Sequence, residues 1–154
     1  MPTETNFIVA EAEVENAPIV GKLVHNLLKE LADGQGPSLN DLTATAKELM
    51  ASGVVTGLIA FKDQEPVGVL CLNECAAIYA RGRFGEITEL YVTPEYRSQG
   101  IALRLIEAAK KVGEARGWSR LEVGAPDQPA WERTLSFYLK EGFAEIGPRL
   151  KMAL

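Results

Sequence analysis

The chain has 154 residues, 47% of them hydrophobic and 24% charged, and carries a net charge of −5. That length suits one domain (1–154) with a sizeable core, and no apolar run nears the roughly 18 residues needed to cross a bilayer. The start Met1–Glu4 does not open a signal peptide, so a cytoplasmic protein is expected, and the acidic balance argues against a general nucleic-acid binder.

Taken in chain order, Asn6–Val14 alternates, with Ile8, Ala10, Ala12 and Val14 on one face and Glu11 and Glu13 on the other, and predicts a half-exposed strand. Asn16 suits a helix cap and Pro18 its first turn. Val20, Leu23, Val24, Leu27, Leu28 and Leu31 then form an apolar stripe at helical spacing, ended by Gly34, Gly36 and Pro37. Ser38 starts a second helix through Leu42, Ala46, Leu49 and Met50, stopping at Gly53. Val54–Phe61 reads as a buried strand, Lys62–Pro66 as a hairpin turn and Val67–Ala80 as a long strand. The turn at Arg81–Arg83 leads into a strand over Gly85–Val92. A helix over Gln99–Arg116 buries Ile101, Leu105, Ala108 and Val112 and is capped by Gly117. Ser119–Val123 is a strand, Ala125–Pro129 a loop and Ala130–Glu141 a helix capped by Gly142. Phe143–Ile146 and Leu150–Leu154 read as closing strands. This order predicts an α/β fold, a mixed sheet with helices on both faces.

Cys71 and Cys75 lie four residues apart in a strand, about 13 Å, too far for a disulfide or for shared ligation of one metal. His25 is the only histidine and reads as a helix residue. No zinc site and no Ser-His or Cys-His triad follows from this set, so no metal is expected.

Between the strand ending at Val92 and the next helix sits Pro94, then Arg97-Ser98-Gln99-Gly100-Ile101-Ala102. A helix start presents free N–H groups and the positive end of its dipole, which suit a phosphate. Gly100 has no Cβ to hold a ligand away, Ala102 is nearly as small, and Arg97 can add a charge-assisted contact. The turn reads as a pyrophosphate cradle, with a tight strand-to-helix turn bearing a surface arginine as the plainer alternative. No Walker pattern and no Gly-x-Gly-x-x-Gly after a strand occurs.

Leu90 to Ala102 resembles the acetyl-CoA signature of the GNAT N-acetyltransferase superfamily, Arg/Gln-x-x-Gly-x-Gly/Ala, with Arg97, Gly100 and Ala102 in the defined places. Phe137-Tyr138-Leu139-Lys140-Glu141-Gly142-Phe143 is similar to the family's Phe-Tyr-x-x-x-Gly-Phe. The element order also matches along the whole chain, implying a mixed, mostly antiparallel sheet of six to seven strands. Two positions depart from the pattern. Trp131 stands where the family often has an asparagine that touches the pantetheine arm, and Thr134 where alanine is usual. Trp131 either covers that arm or belongs to the core.

The resemblance implies acetyl-CoA as cosubstrate. Backbone N–H groups over Ser98, Gln99, Gly100, Ile101, Ala102 and Leu103 would hold the pyrophosphate, and the pantetheine arm would pair with Leu90, Tyr91 and Val92. The Leu90 N–H would polarise the thioester carbonyl, provided the neighbouring strand splays away after Val92. Tyr138 matches the general acid, since a phenol stays protonated at neutral pH. The base is Glu86, Glu89 or a water chain. Residues three apart on a strand face opposite ways unless a bulge intervenes, so one of the two carboxylates is expected in the cleft.

The implied activity is N-acetyl transfer to a primary amine, on a small molecule first and on a peptide or protein second. Acceptor choice would rest on the first two helices with their loop Gly34–Asn40, on Cys75–Arg83 and on the Ile146–Leu150 turn. A longer acyl-CoA, or a non-catalytic acyl-CoA-binding module, are the rival readings. The alternating Leu150, Met152 and Leu154 give the terminus an apolar face for its own core or for a homodimer.

Overall fold

The computed structural model describes residues 6–31, 36–124, 131–147 and 149–154. Strands β1 (Phe7–Glu11), β2 (Val55–Lys62), β3 (Glu65–Ala77), β4 (Gly82–Val92) and β5 (Leu121–Val123) form one sheet in chain order. The first four are antiparallel and β5 joins β4 in parallel. Parallel pairing needs a long crossover, and helix α3 (Ile101–Arg116) lies in it. Helices α1 (Ala17–Leu31) and α2 (Leu39–Ala51) lie between β1 and β2, and α4 (Glu132–Lys140) follows β5.

Strand alternation sorts the core into two layers. Leu58, Leu70, Leu72 and Ile87 pack with Ile101, Leu105 and Ile106 of α3 and Tyr138 of α4. Ile59, Val69, Cys71 and Tyr91 face the other way, against Val20, Leu23 and Val24 of α1 and, at the margin, Leu42, Ala46 and Met50 of α2. Leu70, Leu105 and Ile106 are completely buried, and each such side chain contributes roughly 2 kcal/mol. The helices sit close: a Cβ at Gly68 would stand 3.1 Å from the Tyr91 carbonyl and 3.4 Å from Ile101.

Local signals place most boundaries. Ser38 Oγ accepts from the Asp41 N–H at 3.1 Å and caps α2. Asp63 and Gln64 both take positive φ, 48° and 75°, as a two-residue hairpin turn requires. Gly117 closes α3 at φ 74°. Asn16 does not cap α1 directly. It ends a single 3-10 turn, Val14–Asn16, and its Oδ1 accepts from the Glu13 N–H at 2.8 Å.

Several sequence expectations change. The sheet has five strands among the described residues, where six to seven were expected: Phe143–Ile146 and Leu150–Leu154 carry no strand. Leu150, Met152 and Leu154 are instead exposed, because alternation supplies a face and not the partner that covers it. β3 ends at Ala77 rather than Ala80, and β4 starts at Gly82 rather than Gly85. The expected loop Ala125–Pro129, the start of the last helix at Ala130, and Gly34 and Gln35 of the Gly34–Asn40 loop lie outside the described residues. No helix among the described residues is long and apolar enough to cross a membrane.

Candidate active site

β5 pairs with β4 over only three positions, Gly85↔Leu121, Glu86↔Glu122 and Ile87↔Val123. β4 then continues to Val92 with, among the described residues, β3 alone beside it. The Thr93 N–H donates to the Val67 carbonyl at 2.9 Å, which makes this a bonded pair of the antiparallel ladder. Two-residue alternation then turns the backbone of Tyr91 toward β3 and that of Leu90 and Val92 toward the open edge. The Val92 carbonyl accordingly accepts from Arg97 Nε at 2.8 Å. The Leu90 N–H points into the gap left by β5. Pro94 begins a 3-10 turn there and ends the strand.

The following turn holds two left-handed residues, Ser98 (φ 65°) and Gly100 (φ 82°). The Arg104 N–H donates to the Gly100 carbonyl at 3.1 Å, so the N–H groups of Ile101, Ala102 and Leu103 have no intrahelical acceptor. No side chain caps them. A Cβ at Gly100 would meet nothing within 4 Å. Ser98, Gln99 and Leu103 are exposed, whereas the Ile101 side chain is core. An uncapped, open helix start of this kind fits a phosphate group through backbone alone.

Arg97 stands differently from its expected role. Its Nη2 donates to Glu30 Oε2 of α1 at 2.6 Å, and its guanidinium lies 5.5 Å from the Tyr91 ring centre. Its side chain is still 43% exposed, with these contacts on its protein side.

The β3–β4 register slips between Cys71↔Glu89 and Leu72↔Ile87, so Thr88 is an extra residue, a bulge. Glu86 lies opposite Asn73 and Glu89 opposite Cys71. Asn73 and Cys71 are two apart and share a face, so both carboxylates project toward the α1–α2 side. Glu86 Oε2 pairs with Arg149 Nη2 at 2.7 Å, and its side chain is 16% exposed. Glu89 accepts from the Thr88 hydroxyl. Burial, then the charge and hydrogen bond of Glu89, push the Cys71 thiol well above its ordinary range.

Tyr138 sits on α4 and is 7% exposed, with the Phe137 and Phe143 rings at 5.7 and 5.5 Å. Gly142 (φ 103°) lets the chain double back, and the Phe143 N–H donates to the Tyr138 carbonyl at 3.1 Å. Burial pushes the Tyr138 phenol up to about 12, so it is a proton donor at neutral pH. A cleft of about 1510 Å³ runs past the short β5, and both Glu86 and Tyr138 line it, with Asn73, Tyr79 and Leu135. Glu89, Leu90 and the Arg97–Leu103 turn do not line it; the turn is open surface. A second concavity of about 510 Å³, between the Glu11–Glu15 segment and Met50, contains none of these residues. Trp131 is half-buried at the N-cap of α4.

Sequence reasoning missed Glu30, Arg149 and the Thr88 bulge. Glu30 is 67 positions from Arg97 and reads as an ordinary polar-face glutamate, and Thr88 is an unremarked β-branched strand residue.

The sequence model described as the acetyltransferase (GNAT) family matches residues 23–143. The chain belongs to that family. Over 53 residues it is 43% identical to an uncharacterized N-acetyltransferase of Archaeoglobus fulgidus, a match covering 34% of this chain and only 36% of that relative. Among solved structures, a ribosomal-protein-alanine N-acetyltransferase from Brucella melitensis superposes with a TM-score of 0.77 at 22% identity, covering 96% and 99% of the two chains. A predicted acetyltransferase from Clostridium acetobutylicum with acetyl-CoA gives 0.78 at 18%, covering 96% of each. An aminoglycoside acetyltransferase from an uncultured soil metagenomic sample, in complex with sisomicin, gives 0.80 at 18%, also covering 96% of each. At these identities the likeness is one of fold: a mixed sheet with helices on both faces.

Proposed function

We propose that this GNAT protein is an acetyl-CoA-dependent N-acetyltransferase that moves an acetyl group directly to a primary amine, with a small molecule as the first acceptor class. The observation that carries the reading is the open edge of β4, where the Leu90 N–H faces the gap beside the uncapped start of α3.

Bound acetyl-CoA would supply an activated thioester. The N–H groups of Ile101, Ala102 and Leu103, with the backbone from Ser98 to Gly100, hold its pyrophosphate through charge–dipole and hydrogen-bond contacts. Leu90 and Val92 pair with the pantetheine arm as a strand would, and the Leu90 N–H donates to the thioester oxygen as negative charge develops there. Trp131, near the entrance to α4, covers the arm. Glu86 accepts the proton from the incoming ammonium, directly or through water, and Tyr138 returns a proton to the departing thiolate. Glu86 is preferred to Glu89 because Glu86 shares the cleft with Tyr138.

The acceptor is the open part of this reading. One structural neighbour holds sisomicin and another is named for a ribosomal-protein alanine, so polyamines, aminoglycosides, amino acids and amino-terminal peptides form the panel. The test measures thiol release from acetyl-CoA across it. Release with one acceptor class confirms transfer. Binding of CoA with no release on any amine would assign a non-catalytic acyl-CoA-binding module instead, and turnover only with longer acyl-CoA would move the donor.

A further inference from the structure

We infer that Glu30 and Arg97 form a positioning pair: Glu30 on α1 pins the Arg97 guanidinium against the end of β4, and so shapes the anion-binding turn that Arg97 opens. The inference rests on the reading of that turn as the pyrophosphate cradle, and it deepens that reading.

Three contacts fix Arg97, and none of them faces the helix start. Nε donates to the Val92 carbonyl at 2.8 Å, Nη2 donates to Glu30 at 2.6 Å, and the guanidinium lies over Tyr91 at 5.5 Å. The first contact has a specific origin. Val92 turns its carbonyl toward the edge that β5 has left, and an edge carbonyl without a ladder partner needs a donor. Arg97 provides one, which leaves Leu90 and the Val92 N–H as the groups free to pair along that edge.

The next residues need such an anchor. Ser98 is held at φ 65°, a left-handed conformation that an L-residue other than glycine resists. No side chain caps Gly100. Among the described residues the other side-chain tethers of this stretch are the Tyr96 hydroxyl, which donates to Glu65 at 3.1 Å, and the long contact from Gln99 Nε2 to the Glu95 carbonyl at 3.4 Å. Glu30 therefore reaches from the α1 side of the sheet to a side chain that braces the turn.

The sign of one measurement separates this role from the simpler one. If Arg97 served the phosphates as a ligand, Glu30 would compete for it, and its carboxylate would also repel the anion. Neutralising Glu30 would then tighten binding. If Arg97 is a strut, neutralising Glu30 loosens the turn and weakens binding.

The experiment is calorimetric titration of the full chain with CoA. Glu30→Gln is expected to weaken CoA binding roughly threefold to tenfold, the range of a half-exposed charge-assisted contact. Arg97→Lys keeps the charge but loses the fork that reaches Val92 and Glu30 together, and should weaken binding to a similar degree. The double variant should be little worse than either single one. With an accepted amine, KM for acetyl-CoA should rise while kcat at saturation stays level, a split that general loss of stability would not produce. Equal or tighter CoA binding by Glu30→Gln, or full affinity in Arg97→Lys, overturns the positioning role. A parent protein that does not bind CoA overturns the cradle reading itself.

Discussion

Trp118 lies so close against Gly85 that a Cβ built on that glycine would stand 2.3 Å from its ring. Gly113 of α3 forms the other wall, where a Cβ would be 3.1 Å away. The indole Nε1 donates to Glu74 Oε1 at 2.7 Å, a bond that, ahead of Arg83, holds the Glu74 carboxyl below its usual range. Trp118 thus wedges the end of α3 against β4 just where β5 begins its short pairing. Gly85→Ala should cost about 1–3 kcal/mol, the range of an overpacked core site, because Gly113 and the bond to Glu74 hold the ring against Gly85. Urea denaturation reads this as a lower midpoint with the same slope, and an unchanged midpoint would refute the slot.

Gly100→Val tests the helix start directly. A β-branched residue resists φ 82°, and its side chain would enter the open space before the free N–H groups. CoA affinity should fall at least tenfold, about 1.4 kcal/mol. Calorimetry that finds full affinity in a folded Gly100→Val protein removes the cradle.

The cysteines should be dispensable for chemistry. Cys71 is 3% exposed and its thiol is held protonated by burial and then by Glu89, so the nucleophilic thiolate is scarce at neutral pH. Cys71→Ala should lower stability by roughly 1–2 kcal/mol with turnover preserved. Cys75→Ala, at a half-buried site, should do less. Lost turnover at unchanged stability would point to a covalent acyl-cysteine route.

Tyr138→Phe should lower kcat about tenfold to a hundredfold, the low end for general acid catalysis because a thiolate leaves readily, with CoA affinity intact. Parent-like turnover would move the proton donation to water. The phenol also predicts an alkaline signature. Its folded value, about 12, lies above the ordinary 10. Folding therefore favours the neutral form; that stability is complete below pH 10 and drains away between about pH 10 and 12, by roughly 3 kcal/mol. Stability of Tyr138→Phe should fall less steeply across that window.

Much of this fold was legible because its signals are local. The Val20 to Leu31 stripe, the Ser38 cap, the Lys62–Pro66 turn and Gly117 each act within a few residues, and each marks its element in the structure. The closing strands failed for the converse reason. Leu150, Met152 and Leu154 alternate as a strand should, yet pairing needs an edge supplied from elsewhere in the chain. The site divides in the same way. Gly100 is read from its place at a helix start, whereas Tyr138 and the β4 run are read from their resemblance to family motifs. Arg97 was read toward a ligand because its partner Glu30 is remote in sequence, and the side on which Glu86 and Glu89 fall depends on a pairing register that no local rule encodes.

A strand keeps parity: each residue added to it exchanges inside for outside. Thr88 is the odd member of β4, and it lets Ile87 and Gly85 face α3 and Trp118 while Glu89 and Tyr91 face α1. Without it, either Glu86 and Gly85 would trade places or the run from Glu89 to Val92 would turn over, taking the Leu90 N–H from the gap to the β3 ladder. What matters at position 88 is therefore arithmetic rather than chemistry. Many side chains can occupy it at little cost, whereas losing the residue altogether turns either Glu86 or Leu90 to the opposite side of its present place.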